Sequence, residues 1–384
     1  MKIAIIGAGP AGIEAALAAS KAGAQVTVFS RENVLPYARP MLPAVAFSNG
    51  DVTPYAIHPA EWYTEHGIDL RLDTPVTGLD VENRIVKTLD GEELFDAFVL
   101  AGGANPLKPI IPGLMASPSI YTLWSADDAR RLNRHCRRGR LVAVIGGGIL
   151  GVETALNAAR ARKKVILIEK SARLLESRLD KPASDAVRKV LEGKGVTVLT
   201  GTTVVSAAQI ASKLCLRLEN AEKTLDVDMV VLTVGAKANL SLAQSAGLAV
   251  DRGICVDETL QTSAPNVYAA GDCAQFGIGG HCCVASAVDQ GRVAGYNAVA
   301  AVNDTEPIFC KIRTYPLHSS DPDLPIHAWG QTAERSINAK AVRIAANKKV
   351  AGTTRLKVVR SDGVVVGVQM VGTDFGFDAL LPSD

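Results

Sequence analysis

Two short apolar runs, Ile3-Ala4-Ile5-Ile6 and Leu141-Val142-Ala143-Val144-Ile145, pass directly into glycine-rich turns, Gly7-Ala8-Gly9-Pro10-Ala11-Gly12 and Gly146-Gly147-Gly148-Ile149-Leu150-Gly151. Uninterrupted apolar runs of this length read as strands buried on both faces. Each turn opens an Ala-rich stretch that predicts a helix, Glu14 to Ala22 and Glu153 to Ala161, followed by a second apolar strand, Val26 to Phe29 or Val165 to Ile168. The register holds at an offset of 139 residues (146 minus 7), with Glu14 on Glu153, Ala16 on Ala155 and Val26 on Val165. The chain therefore reads as an internal repeat of a βαβ unit.

The glycine spacing has a physical reason. The first glycine permits the tight turn, the second lets backbone approach a pyrophosphate, and the third lets the helix pack on its strand. Free N–H groups at the helix N-terminus then meet phosphate charge. Two dinucleotides are expected, one per copy. An acidic residue that holds a ribose hydroxyl belongs at the end of the second strand. Glu169 stands there in the second copy, 23 residues after Gly146 (169 minus 146), and favours NADH over NADPH by repelling a 2′-phosphate. The first copy has Ser30 at that place and Glu32 two residues on. Lys170 and Arg173 leave open the alternative that a basic pair holds a phosphate.

Between the copies, the segments Ile85 to Thr88 and Glu92-Glu93-Leu94 alternate as a hairpin, ahead of Phe98-Val99-Leu100-Ala101-Gly102-Gly103-Ala104-Asn105-Pro106. After the second copy come Val230-Val231-Leu232-Thr233-Val234-Gly235, Ala246-Gly247-Leu248, Gly253-Ile254-Cys255-Val256-Asp257 and a run from Thr262 to Gly271-Asp272. With the paired turns, these segments resemble the two-domain flavoproteins of the pyridine nucleotide-disulfide oxidoreductase superfamily over residues 1 to about 305. The stretch Pro36-Tyr37-Ala38-Arg39-Pro40-Met41-Leu42-Pro43 is similar to that of rubredoxin and ferredoxin reductases.

The resemblance implies an α/β fold with two Rossmann-like dinucleotide-binding domains, one inserted in the other, and a small C-terminal α+β interface domain. The expected boundaries are 1–112 with 236–306 for FAD, 113–235 for NAD(H), and 307–384 for the interface domain. It implies that FAD is held by Gly7, Gly9, Pro10, Ala11, Gly12, Glu32, Arg39, Pro40, Ala101, Gly102, Gly103, Gly271, Asp272 and Val284. Asp272 matches the aspartate on the ribityl chain, and Val284 opens the helix whose N-terminus faces the flavin pyrimidine ring. The nicotinamide nucleotide falls to Gly146, Gly148, Ile149, Leu150, Gly151, Glu169 and Gly235. Glu153 matches the glutamate between nicotinamide and flavin, the expected catalytic residue; its twin Glu14 shows that the spacing alone does not imply catalysis. Pro40 occupies the place of the flavin-adjacent redox cysteine, and Ala44 that of a lysine frequent in ferredoxin reductases. A thiol relay is therefore not expected.

The C-terminal segment pairs Thr354 to Val359 with Val364 to Val371 around Ser361-Asp362-Gly363, a D-G hairpin signal. The family's His–Glu acid/base pair is missing; His318 is followed at that distance by Asp323, within a loop-like Ser-Ser-Asp-Pro.

A net charge of +2 over 384 residues excludes general polyanion affinity, so no nucleic acid is expected. Six arginines crowd Arg130 to Arg140; the plainer reading is the solvent face of a helix, the sharper one a patch that steers an acidic partner. No apolar run reaches eighteen residues and Met1 to Ile6 lead straight into a strand, so no membrane span is expected and the location expected is cytoplasmic, as monomer or homodimer. None of the seven cysteines is spaced C-x-x-C, and Cys282-Cys283 beside His281 lacks the second pair of a metal site, so no metal is expected. The expected activity is electron transfer from NADH through FAD to a small acidic iron protein of rubredoxin or ferredoxin type. An NADH oxidase using oxygen, and a redox-responsive flavoprotein with incidental turnover, are the alternatives.

Overall fold

The computed structural model describes residues 1–219, 224–276, 283–311, 313–319, 321–330, 340–342, 355–361, 364–372 and 377–382. His281, Cys282 and the Asp362-Gly363 step lie outside these. Eight α-helices occur among the described residues: α1 (Pro10–Lys21), α2 (Leu42–Ala46), α3 (Ala60–Glu65), α4 (Ala126–Cys136), α5 (Ile149–Arg160), α6 (Lys181–Gly193), α7 (Ser241–Ser245) and α8 (Val284–Asn303). Helix α1 starts at Pro10, earlier than the apolar pattern indicates, because a proline at the first helical position needs no N–H partner.

The chain divides into two compact units: residues Met1–Ala38, Val52–Asn105 and Ala236–Arg313, and residues Arg39–Asp51, Pro106–Gly235 and Thr314–Asp384. Each contains a five-stranded parallel sheet. In the first the spatial order is Val267–Ala269, Ala97–Leu100, Lys2–Ile6, Gln25–Phe29, Ile68–Arg71. In the second it is Ile120–Thr122, Met229–Leu232, Leu141–Ile145, Lys164–Ile168, Val196–Leu199. The duplication extends further than the glycine turns. Each copy inserts an antiparallel three-stranded meander, Gly78–Asp80, Ile85–Lys87, Glu92–Leu94 in one and Val204–Ile210, Lys213–Leu218, Leu225–Val227 in the other, before the strand that returns beside the first.

Burial on both faces explains the unbroken apolar runs. In the first unit Ile3, Ile5, Val26, Val28, Ala97 and Val99 pack with Ala15, Ala16 and Ala19 of α1 and with Ala294 and Ala298 of α8. The alternate residues Ala4, Ile6, Phe29, Phe98 and Leu100 pack on the other face with Leu79 and Val86 of the meander. Two glycines set the approach of α8 to α1. A Cβ on Gly291 would lie 2.3 Å from the Ala11 carbonyl oxygen, and one on Gly295 would lie 2.1 Å from that of Ala15. Arg292, between them, pairs with Glu14 of α1 at 3.0 Å.

In the second unit, helix α4 starts with a capping box of Ser125 and Asp128 and buries Ala129, Leu132, Asn133 and Cys136. Arg131, Arg134, Arg137, Arg138 and Arg140 are exposed, in keeping with the solvent-face reading of this arginine cluster. The buried amide of Asn133 donates to the carbonyls of Ala46 and Ser48 at 3.1 and 2.9 Å. Residues 39–51 therefore group with this unit, not with the FAD segment in which the sequence places them. The C-terminal sheet also joins it instead of forming a third unit. Its five antiparallel strands run in the order Leu317–His318, Ile326–Gly330, Val364–Val371, Arg355–Ser361, Lys340–Val342. Asp180, the N-cap of α6, binds Lys357 of this sheet at 3.1 Å and receives the side-chain-capping N–H of Ala183. No helix among the described residues is long and apolar enough to cross a membrane.

Because a methyl group at position 295 has no room to move away from helix backbone, Gly295→Ala is expected to destabilise the protein by about 1–3 kcal/mol. Thermal denaturation against the wild type measures this; an unchanged midpoint means that α8 does not press on α1 as described.

Candidate functional site

In the first unit three adjacent parallel strands end side by side, and the sequence-predicted residues follow their carboxyl ends. Gly7 to Gly12 follow Ile6, Ala101 to Gly103 follow Leu100, and Gly271 and Asp272 follow Ala269. Such a strand-end crevice is where open α/β sheets hold ligands. Gly7 turns the chain at φ +116°, and a Cβ there would lie 2.3 Å from the carbonyl oxygen of Ala101. A Cβ on Gly12 would lie 1.8 Å from the carbonyl oxygen of Gly7. Gly271, at φ +75°, brings its chain against Ala11 and donates its N–H to Gln290 at 2.8 Å, which sets the half-buried Asp272 beside the turn.

Gly9 is different. Its φ and ψ of −78° and −178° suit any residue, and a Cβ built on it meets nothing within 4 Å. Neither strain nor packing within the protein demands glycine here. The open space lies at the N-terminus of α1, whose first turn carries no acidic residue and whose N–H groups favour an anion.

The second unit repeats this arrangement. Gly146 turns at φ +115° with its would-be Cβ 2.5 Å from the Thr233 carbonyl oxygen, and Gly151 abuts Gly146 at 1.8 Å. Gly148, at φ −74° and ψ −177°, again opens on free space at a helix N-terminus, that of α5, which begins Ile149-Leu150 and has no acidic residue in its first turn. Gly235 turns at φ +106°, two residues past Thr233, which follows the strand Met229–Leu232. Glu169 follows Ile168; its carboxylate accepts from the Gly147 N–H at 2.5 Å and the Ser171 N–H at 2.6 Å, which fixes it against the turn. Of the two nearby basic residues, Arg173 pairs with Glu176 at 3.2 Å and Lys170 is exposed.

Equivalent positions in the two copies have different surroundings. Glu14 is tied to Arg292 on α8. Glu153 is only 4% exposed, and its carboxylate accepts from the Ser319 hydroxyl at 3.1 Å. Ser319 sits in the loop after the strand Leu317–His318, and the same loop is tied to α5 by charge. Buried Asp321 receives Arg160 at 2.9 Å and Asn157 at 3.3 Å, and Asp323 receives Arg160 at 2.8 Å and Lys194 at 3.3 Å. Asp323 is thus committed to cations, while His318 bonds His327 across the sheet at 2.6 Å. Ser319, Asp321 and Arg160 carry no motif and were not identifiable before the fold was known.

The remaining FAD candidates have defined partners. Glu32 accepts from Tyr37 at 2.9 Å. Arg39 donates to the Trp124 carbonyl at 2.7 Å within the second unit, and Pro40 beside it is exposed. Val284 opens α8, where Cys283 caps the Ser286 N–H through its sulfur. Cys273 follows Asp272 but is fully buried, and burial pushes its thiol up to about 11. A thiol so desolvated is a poor nucleophile at neutral pH. No cluster that could hold a metal ion occurs among the described residues.

Substituting the two open glycines separates ligand from fold. Gly9→Val is expected to leave a folded protein that retains less than about a tenth of the wild-type flavin, and Gly148→Val to keep the flavin and raise KM for NADH about tenfold or more, roughly 1.4 kcal/mol of binding. Flavin extraction and steady-state kinetics measure both. Full function in both variants would mean that no pyrophosphate passes over these positions.

Residues 1–296 match the pyridine nucleotide-disulphide oxidoreductase family. The chain is 34% identical over 281 residues to the rubredoxin-NAD(+) reductase of Ectopseudomonas oleovorans, covering 71% of this chain and 72% of that protein. It is 30% identical over 301 residues to the NADH-rubredoxin oxidoreductase of Clostridium acetobutylicum, covering 77% and 74%. Its backbone superposes on a ferredoxin reductase from Rhodopseudomonas palustris with a TM-score of 0.84 and 25% identity, over 97% of this chain and 91% of that one. The duplicated strand-end crevices and the sequence match across both of them agree: the chain belongs to the pyridine nucleotide-disulphide oxidoreductase family.

Proposed function

We propose that the protein is an FAD-dependent NADH oxidoreductase that passes electrons to a small iron protein of rubredoxin or ferredoxin type. The observation that carries this reading is the pair of open glycines, Gly9 and Gly148, each at an anion-ready helix N-terminus within its own unit. The names of the rubredoxin reductase relatives support the acceptor class.

The chemistry a bound flavin supplies is acceptance of a hydride and release of electrons one at a time. In this reading the first unit holds FAD through the Gly7 to Gly12 turn, Ala101 to Gly103, Glu32, Gly271 and Asp272, with Val284 at the N-terminus of α8. The second unit holds NADH through Gly146 to Gly151, with Glu169 on the ribose and Gly235 closing the turn. Glu153 orients the nicotinamide, and Ser319 holds its carboxylate at 3.1 Å. The buried Cys273 and the proline at position 40 are consistent with electron flow that involves no thiol.

NADH is the proposed donor because Glu169 is braced by two N–H groups beside the turn, where its charge repels a 2′-phosphate, while Arg173 is occupied by Glu176. Stopped-flow reduction is expected to be faster with NADH than with NADPH, and Glu169→Ala to narrow the ratio by about tenfold, roughly 1.4 kcal/mol. A wild-type preference for NADPH would assign selectivity to Lys170 and Arg173 instead.

The acceptor is tested by adding rubredoxin, ferredoxin or air to the NADH-reduced protein. Reduction of one iron protein at least tenfold faster than oxygen consumption is the expected result. Oxygen turnover faster than both makes the protein an oxidase, and slow turnover with all three makes it a redox-responsive flavoprotein.

A further inference from the structure

Arg131, Arg134, Arg137 and Arg138, with Tyr121 and His135, line a recess of about 590 Å³ in the second unit. Among the lining residues, the hydroxyl of the buried Tyr121 and His135 Nδ1 bond each other at 2.7 Å. The four guanidinium groups are exposed, and among the described residues none makes a hydrogen bond or ion pair. Of the neighbouring carboxylates, Asp127 is exposed one turn before Arg131 and pairs with none of the four, and two others are committed elsewhere. Asp128 caps α4, and Asp228 accepts from the N–H groups of Arg140 and Leu141 at 2.7 and 2.8 Å and pairs with Lys213.

A helix C-terminus favours cations in its last turn, which accounts for Arg134 and His135. It does not account for Arg131 one turn earlier or for Arg137 and Arg138 at and beyond the end, because like charges three and four residues apart repel. The recess also lies away from the nucleotide turn. Arg137 and Arg138 stand where the chain enters the strand Leu141–Ile145, whereas Gly146 follows its other end, and Tyr121, paired with Val231 and through it level with Val144, sets the recess two strands to the side of Gly146.

The geometry points to a second anion site, separate from both glycine turns, for a small molecule that bears two or three linked phosphates. Guanidinium forks match phosphate oxygens two at a time. Four cations lining one open recess suit a compact oligoanion, whose linked phosphates can each take a guanidinium fork.

Calorimetric titration of the FAD-loaded protein, saturated with NAD⁺, with inorganic triphosphate and separately with ADP tests this. One saturable site is expected for triphosphate, weakened at least tenfold in an Arg134→Gln/Arg138→Gln variant that retains its flavin and its rate of NADH oxidation. Tighter binding of ADP than of triphosphate would identify a nucleotide as the ligand; the reverse would identify a free oligophosphate. Gly148→Val should leave the titration unchanged. The proposal is overturned by no saturable binding, by binding equal in the glutamine variant, by binding lost in Gly148→Val, or by an equal response to sulfate at matched ionic strength. Binding of polyglutamate in place of triphosphate would overturn it in favour of an acidic protein surface.

Discussion

The contact on which both units depend is the one between the third glycine of each turn and the carbonyl of the first. A Cβ on Gly12 or Gly151 would stand 1.8 Å from that oxygen, so either helix can lie this close to its strand only without a side chain. The closeness has two consequences. It presents the helix N-terminus, with its unsatisfied N–H groups, directly over the carboxyl end of the sheet. It also leaves the middle glycine, Gly9 or Gly148, outside the packed turn and facing open space. Fold thus explains the outer glycines and leaves the middle one to be explained by a ligand.

The copies keep this contact and differ beyond it. At the fifth residue of the helix, one copy spends a glutamate on a surface ion pair with Arg292, and the other buries Glu153 under Ser319. A buried carboxylate is tolerated only where hydrogen bonds replace water. The loop that supplies Ser319 must therefore be held in place, and the Arg160, Asp321 and Asp323 network does so from the same helix. The C-terminal sheet is needed by the second unit for this reason, and it packs there by the Asp180–Lys357 pair as well.

Much of the fold was legible because its signals are local. Apolar runs, glycine spacing and the hairpin strands at Ile85–Lys87 and Glu92–Leu94 depend on near neighbours, and they appear where the pattern indicates. The meander Val204–Ile210, Lys213–Leu218, Leu225–Val227 carries no sequence mark as the counterpart of the first, because antiparallel strands are specified by alternation and not by particular residues. The placement of residues 39–51 was hidden for another reason. Its contacts include one amide, Asn133, reaching two backbone carbonyls more than eighty residues earlier, and Arg39 reaching the Trp124 carbonyl, and neither residue carries such a message in sequence. The site itself divides in the same way: the glycines and Glu169 belong to a spaced motif, whereas Ser319, Asp321 and Arg160 meet only in the folded chain.

Charge shows what a parallel sheet adds to a sequence reading. The arginines of residues 130–140 invite assignment to the docking of an acidic electron acceptor, since they precede the second glycine turn by only a few residues. The strand Leu141–Ile145 intervenes, and it carries the chain from one end of the sheet to the other. With screening on a length of roughly 8 Å at physiological ionic strength, these cations act chiefly on what enters the recess they line. Proximity in sequence to the glycine turn is a property of that one strand, so the cluster is to be read from its own recess and not from the turn that follows it.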